Sequence, residues 1–147
     1  MMDTEKHDDY LSEAAGIVIV RNDIADARRF LVLVTPDGEY DLPKGRCEGN
    51  DPDDASCAMR ELAEETGLRR PMFTWGRTSI SYSRLRFFIA ETGPDDSVIH
   101  RPNRSTGIIE HVGHLWLMLD DAMRRLPAFL RPAIAWADGV AGGTIHP

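Results

Sequence analysis

The chain has 147 residues, enough for one domain with a proper core, and its 42% hydrophobic and 28% charged content is that of an ordinary globular protein rather than a disordered or fibrous one. A net charge of −7 argues against general affinity for nucleic acid or anionic membranes. The longest apolar runs, such as Ala14–Val20 and Phe30–Val34, fall far short of the roughly 20 residues that span a bilayer, and the polar start MMDTEKHDDY does not read as a signal peptide, so a cytoplasmic protein is expected.

Residues 1–12 lack periodicity and read as a flexible arm, leaving 13–147 as a single domain. Ala14–Val20 and Phe30–Val34 are β-branched and leucine-rich runs of strand length, with polar Arg21–Arg29 between them as a hairpin connection. Pro36-Asp37-Gly38 marks a turn, and a short extended piece, Tyr40–Leu42, leads into Pro43-Lys44-Gly45. A helix is expected to begin near Asp51-Pro52-Asp53-Asp54, where aspartate caps the free amides and proline is tolerated, and to end at Gly67. Phe73–Tyr82 and Leu85–Ala90 read as strands. Gly93–Gly107, with Asp95, Asp96, His100, Arg101 and Arg104, is a polar loop long enough to serve as a substrate lid. Glu110–Leu117 returns as a strand, followed by helices over Asp120–Leu126 and Arg131–Val140.

The 51–66 helix carries the chemistry. At 3.6 residues per turn Glu61, Glu64 and Glu65 fall within an arc of about 100°, while Ala55, Ala58, Met59, Leu62 and Thr66 form the apolar stripe. Like charges at this spacing destabilise a helix by roughly 0.2–0.5 kcal/mol per pair, a cost that a bound cation removes. Carboxylates suit hard ions, Mg²⁺ first and Mn²⁺ as an alternative. Of 17 basic residues only Lys6 and Lys44 are lysines, which favours bidentate phosphate contacts, although a GC-rich genome gives the same bias. Cys47 and Cys57 have no zinc-type partners and are expected to be reduced thiols. Trp75, Trp116 and Trp136 read as packing residues, and His100, His111 and His114 as incidental.

Gly45 and the block Arg60-Glu61-Leu62-Ala63-Glu64-Glu65-Thr66-Gly67-Leu68 resemble the signature of the Nudix hydrolases: Gly, five residues, Glu, seven residues, Arg-Glu, an aliphatic residue, any residue, Glu-Glu, any residue, Gly, an aliphatic residue. The resemblance implies an α/β/α sandwich around a mixed sheet. One departure stands out. The interval from Gly45 to Arg60 is one residue too long, so the box glutamate falls on Asp51 counted from Gly45 and on Pro52 counted from Arg60; Glu48, Asp51 and Asp53 are the candidate substitutes.

The resemblance also implies Mg²⁺-dependent hydrolysis of a phosphoanhydride in a nucleoside diphosphate linked to another moiety, with a small nucleotide as substrate and a monomer or homodimer as the working form. It assigns Glu61, Glu64 and Glu65 as metal ligands, a backbone carbonyl near Lys44-Gly45 as a further ligand, and Arg60 as the group that orients the carboxylates. For the general base Glu110 is the first choice, with Glu65, Asp95 and Asp96 as alternatives. Lys44, Arg46, Arg84 and Arg86 are candidate phosphate contacts, and Tyr82 or Phe87 a base-stacking platform. Ala14–Ile19, Leu42–Gly45 and Arg86–Glu91 look most like the diadenosine polyphosphate hydrolases. Nucleoside triphosphate, RNA 5′-end and diphosphoinositol pyrophosphohydrolases share those segments, and a non-catalytic ligand-binding module of the same fold is the alternative of another class.

Overall fold

A computed structural model of the protein describes residues 12–24, 27–93 and 95–143; of the arm expected over 1–12, only Ser12 falls among them. Seven strands form one mixed sheet: β1 (Ala14–Ile24), β2 (Ala27–Val34), β3 (Tyr40–Asp41), β4 (Lys44–Arg46), β5 (Ser79–Tyr82), β6 (Leu85–Glu91) and β7 (Gly113–Leu117). β1 runs parallel to β6 from Ala14↔Leu85 to Val20↔Glu91, and every other pairing is antiparallel. β2 pairs with β1 only toward their shared hairpin end. Where the two separate, β3 pairs with β2 and β4 with β1, so Leu42-Pro43 carries the chain across the gap. At this crossing the backbone packs tightly, since a Cβ on Gly16 would collide with the Pro43 carbonyl and the Phe87 ring.

Alternation along the central strands sends side chains to opposite faces. Ile17, Ile19, Leu31, Leu33, Phe88 and Ala90 pack against Cys57, Ala58 and Leu62 of helix α1 (Asp54–Thr66). Val18, Val20, Phe30, Val32, Phe87 and Ile89 pack against α2 (Leu119–Arg125), a 3₁₀ turn (Ala128–Leu130) and α3 (Arg131–Ala141) through Leu126, Leu130, Ile134 and Ala137. The result is the expected α/β/α sandwich, held by two apolar layers on one sheet.

Several boundaries differ from those expected. β1 and β2 run further toward each other than the apolar runs alone, because a two-stranded ribbon tolerates polar residues such as Arg21 and Arg29, which pair across it. The strand expected from Phe73 begins only at Ser79. Before it, Gly76 (φ 79°) and a single bridge, Met72 to Glu91, replace regular pairing. The return strand starts at Gly113 rather than Glu110, leaving Glu110 and His111 in the preceding loop. Among the described residues no helix is long and apolar enough to cross a membrane.

Candidate metal and phosphate site

Helix α1 presents the glutamates because its ends are fixed locally. Asp53 caps the first turn, its carboxylate accepting from Ser56 N at 2.7 Å, and Gly67 closes the last turn in the left-handed region (φ 77°). With Cys57, Ala58 and Leu62 buried against the sheet, Glu61, Glu64 and Glu65 face the strand junction at Lys44-Gly45. Gly45 lies so close to Glu61 that a Cβ there would overlap the carboxylate. The backbone N–H of Lys44 donates to Glu65 at 3.3 Å.

The departure in spacing resolves onto Asp51. Its carboxylate is buried and takes two hydrogen bonds from Arg60, at 3.0 and 2.9 Å, and one from Glu48 N at 2.8 Å. The register from Gly45 is therefore kept at Asp51, and the extra residue lies between Asp51 and Arg60. Arg60 also donates to the Arg46 carbonyl at 3.0 Å, to Glu61 at 2.9 Å and to Glu64 at 3.2 Å. Its hydrogen bonds, above all those to Asp51, raise its pKa further and hold the Asp51 carboxyl below its usual range.

The acidic wall is electrostatically overloaded. Burial, followed by the charges of Glu61 and Asp41, pushes Glu65 up to about 10. Burial also raises Glu61, against the pull of Arg60. Glu61, Glu64 and Glu65 thus put three carboxylate side chains on one wall, with Glu65 pushed toward its neutral form mainly by burial. That is the chemistry of a hard-cation site, and the residues present fit such an ion.

Two cavities share this wall, one of about 580 Å³ and one of about 420 Å³, and both are lined by Glu61, Glu64, Glu65, Asn103, Arg104 and Glu110. The larger adds Arg60, Arg69, Arg101 and His111; the smaller adds Asp41, Lys44, Gly45 and Arg46. The NUDIX domain sequence model matches residues 11–137. This chain belongs to the Nudix family.

As a Nudix chain it resembles solved structures of several specificities. A C. elegans Ap4A hydrolase in a binary complex is 21% identical with TM-score 0.70, covering 90% of this chain and 99% of the other. The NUDIX domain of Shewanella oneidensis NrtR, complexed with ADP ribose, is 14% identical with TM-score 0.62, covering 99% and 100%. An E. coli dihydroneopterin triphosphate pyrophosphohydrolase is 17% identical with TM-score 0.59, covering 86% and 97%. At such identities the likeness speaks to fold. Among curated protein sequences none matches.

Of the expected site residues, the structure gathers Gly45, Lys44, Arg46, Arg60, Glu61, Glu64, Glu65 and Glu110 around the Nudix helix. It leaves the others elsewhere. Tyr82 donates its hydroxyl to the Phe129 carbonyl at 2.7 Å, Arg84 lies in the β5–β6 turn beside Glu13, and Arg86 pairs with Asp54 at 3.4 Å and Ser79 at 2.9 Å. Phe87 is buried in the core, and Asp96 accepts from Gly93 N at 2.9 Å, outside both cavities. Cys47 and Cys57, expected as thiols, form a disulfide with Cα atoms 5.3 Å apart; ten residues of separation hid that the loop folds back onto α1.

Sequence reasoning missed Asp41 and His111. They hydrogen-bond at 3.1 Å across 70 positions, with Lys44 at 3.1 Å on the other Asp41 oxygen. Burial pushes Asp41 upward, but the bond to His111 and the charge of Lys44 bring it below its usual range. No local pattern carries such a pair. His100 and His114 meet at 3.0 Å, and burial lowers both.

Proposed function

We propose that this Nudix hydrolase cleaves a phosphoanhydride bond in a nucleoside diphosphate linked to another group, with Mg²⁺, or Mn²⁺ in its place, and that a diadenosine polyphosphate is its leading substrate. The observation that carries the reading is the shared wall: Glu61, Glu64 and Glu65 line two adjoining cavities, one of which also holds Arg60, Arg69 and Arg101 and the other Lys44 and Arg46. A substrate with a group at each end of its phosphate chain can occupy both cavities, which a substrate with a single nucleoside fills less fully. The likeness to the C. elegans Ap4A hydrolase supports the same class.

Glu61, Glu64 and Glu65, with the carbonyl near Gly45, would hold the cation, which when bound supplies neutralisation of the phosphate oxygens and activation of the attacking water. Arg60 fixes the carboxylates through its bonds to Glu61 and Glu64. Lys44, Arg46 and Arg104 bind phosphate oxygens. Glu110, which lines both cavities and accepts a hydrogen bond from Asn103 at 2.9 Å, takes the proton from water.

Incubation with a panel of dinucleoside polyphosphates, nucleoside diphosphate sugars and nucleoside triphosphates, with Mg²⁺ or Mn²⁺ and product masses read out, tests this. Turnover should require the cation, and Glu64→Gln or Glu65→Gln should abolish it. No turnover across the panel would leave a ligand-binding module.

A further inference from the structure

Three arginines in the larger cavity have no work to do in the folded chain. Arg60, beside them, is saturated by Asp51, Glu61, Glu64 and the Arg46 carbonyl. Arg69, Arg101 and Arg104 form no ion pair or hydrogen bond among the described residues, although Glu64 and Glu110 line the same cavity.

Their placement is built rather than incidental. The left-handed Gly67 turns the chain off the end of α1 and Leu68 is buried, so Arg69 emerges at the cavity beside Ala63 and Glu64. Ile99 N donates to the Thr66 carbonyl at 2.8 Å, tying the following loop to the same helix end two residues before Arg101. Asn103 then knots that loop: its side-chain oxygen accepts from Ser105 N at 2.8 Å and Thr106 N at 3.1 Å, and its carbonyl accepts from Gly107 N at 2.7 Å. Arg101 and Arg104 flank the knot. Unpaired guanidinium groups converging on one concavity create a positive potential that a multiply charged anion relieves, and their planar forks match phosphate oxygens.

Arg104 lines both cavities and so serves any phosphate at the site, whereas Arg69 and Arg101 line only the larger. We infer that Arg69 and Arg101 form a subsite for phosphates beyond the scissile diphosphate, making this chain selective for long phosphate chains over a bare diphosphate link. The inference rests on the hydrolase reading above and sharpens its substrate class.

Calorimetric titration with inorganic tripolyphosphate and with pyrophosphate, both with Mg²⁺, tests it on wild type and on Arg69→Ala/Arg101→Ala. Charge-assisted hydrogen bonds of this kind set the expected loss at about tenfold or more for tripolyphosphate, with pyrophosphate affected much less. The preference for diadenosine tetraphosphate over ADP-ribose in kcat/KM should fall in parallel. Arg77→Ala/Arg124→Ala removes equal charge outside both cavities and should keep wild-type affinity. Unchanged tripolyphosphate binding in the double variant, or an equal loss for both anions, overturns the subsite. Both arginines are exposed, melting temperature reports the fold, and Arg101→Ala alone should show the same pattern at smaller size. If wild type turns over neither nucleotide, the hydrolase reading fails while the titration still decides the subsite.

Discussion

Asp51 receives the Arg60 guanidinium through two parallel hydrogen bonds, 3.0 Å from Nε and 2.9 Å from Nη2, while remaining nearly buried. A shorter acid thus stands, counted from Gly45, where the signature has glutamate, and it still reaches Arg60. Because the same guanidinium reaches Glu61 and Glu64, loop and acidic wall share one positive charge.

Arg60→Ala should therefore destabilise the fold by about 3 kcal/mol, since it strands a buried carboxylate without its partner. The pH dependence has a definite sign. Asp51 is held below its ordinary value of 3.8, so its ionised form stabilises the fold at higher pH and that contribution is lost as pH falls through the lowered value. Asp51→Asn should flatten the acid limb of an unfolding curve followed by circular dichroism. An acid limb as steep as that of wild type, with unchanged stability near neutrality, would show that the pair is idle.

Glu65 titrates in the opposite sense. Burial, with Glu61 and Asp41, pushes it up to about 10, so the cation-free fold loses stability as pH rises from the ordinary 4.5 toward that value. Under the proposed function, a divalent cation would replace the proton. The rise in Tm on adding Mg²⁺ should grow from about pH 5 to about pH 8, and binding should release protons, read as a buffer-dependent calorimetric enthalpy. Glu65→Gln should raise the cation-free Tm near neutrality and remove most of the Mg²⁺ response. A Mg²⁺ increment that does not vary with pH would place the ion elsewhere.

What the sequence made legible was local. The arc of Glu61, Glu64 and Glu65, the cap near Asp53 and the stop at Gly67 follow from helix geometry within one segment, and they came out as expected. Strand lengths were less legible because cross-strand pairing, rather than composition, decides where β1, β2 and β5 begin and end. Relationships across the fold left no trace: the contact of Asp41 with His111, the bond of Cys47 with Cys57 where the intervening loop reverses, and the shared cavity of Arg69 and Arg101. Tyr82, Arg84 and Arg86 have the right chemistry for phosphate or base, but the β5–β6 hairpin turns them to Phe129, Glu13 and Asp54 instead.

Two glycines should fail differently on substitution. Gly45→Ala meets the end of the Glu61 side chain, which can swing away, so the fold should survive while Glu61 leaves the metal wall. Gly16→Ala meets the Pro43 carbonyl, the Lys44 Cβ and the Phe87 ring, none of which moves freely, and overpacking of this kind costs about 1–3 kcal/mol. Urea denaturation alongside Mg²⁺ titration separates them: Gly45→Ala should keep its midpoint and lose cation affinity, and Gly16→Ala should lose midpoint. A Gly45→Ala protein that binds Mg²⁺ like wild type would remove Glu61 from the ligand set.

The disulfide predicts a redox-dependent stability. Cys47 follows Arg46, whose carbonyl accepts from Arg60 at 3.0 Å, and Cys57 is buried in α1, so the bond fastens the loop that follows β4 and carries Asp51 to the helix that carries the glutamates. For a closed loop of ten residues the chain-entropy relation gives about 3 kcal/mol, or roughly 5–10 °C in Tm for a chain of this size. Thermal unfolding with and without a dithiol reductant should show that drop in wild type. Cys47→Ala/Cys57→Ala should start from the lower Tm and ignore the reductant. Because the freed loop no longer holds Asp51 against the Arg60 guanidinium that also bonds Glu61 and Glu64, apparent Mg²⁺ affinity should fall in the variant as well. Equal Tm values with and without reductant would mean that the Asp51–Arg60 pair alone secures the loop.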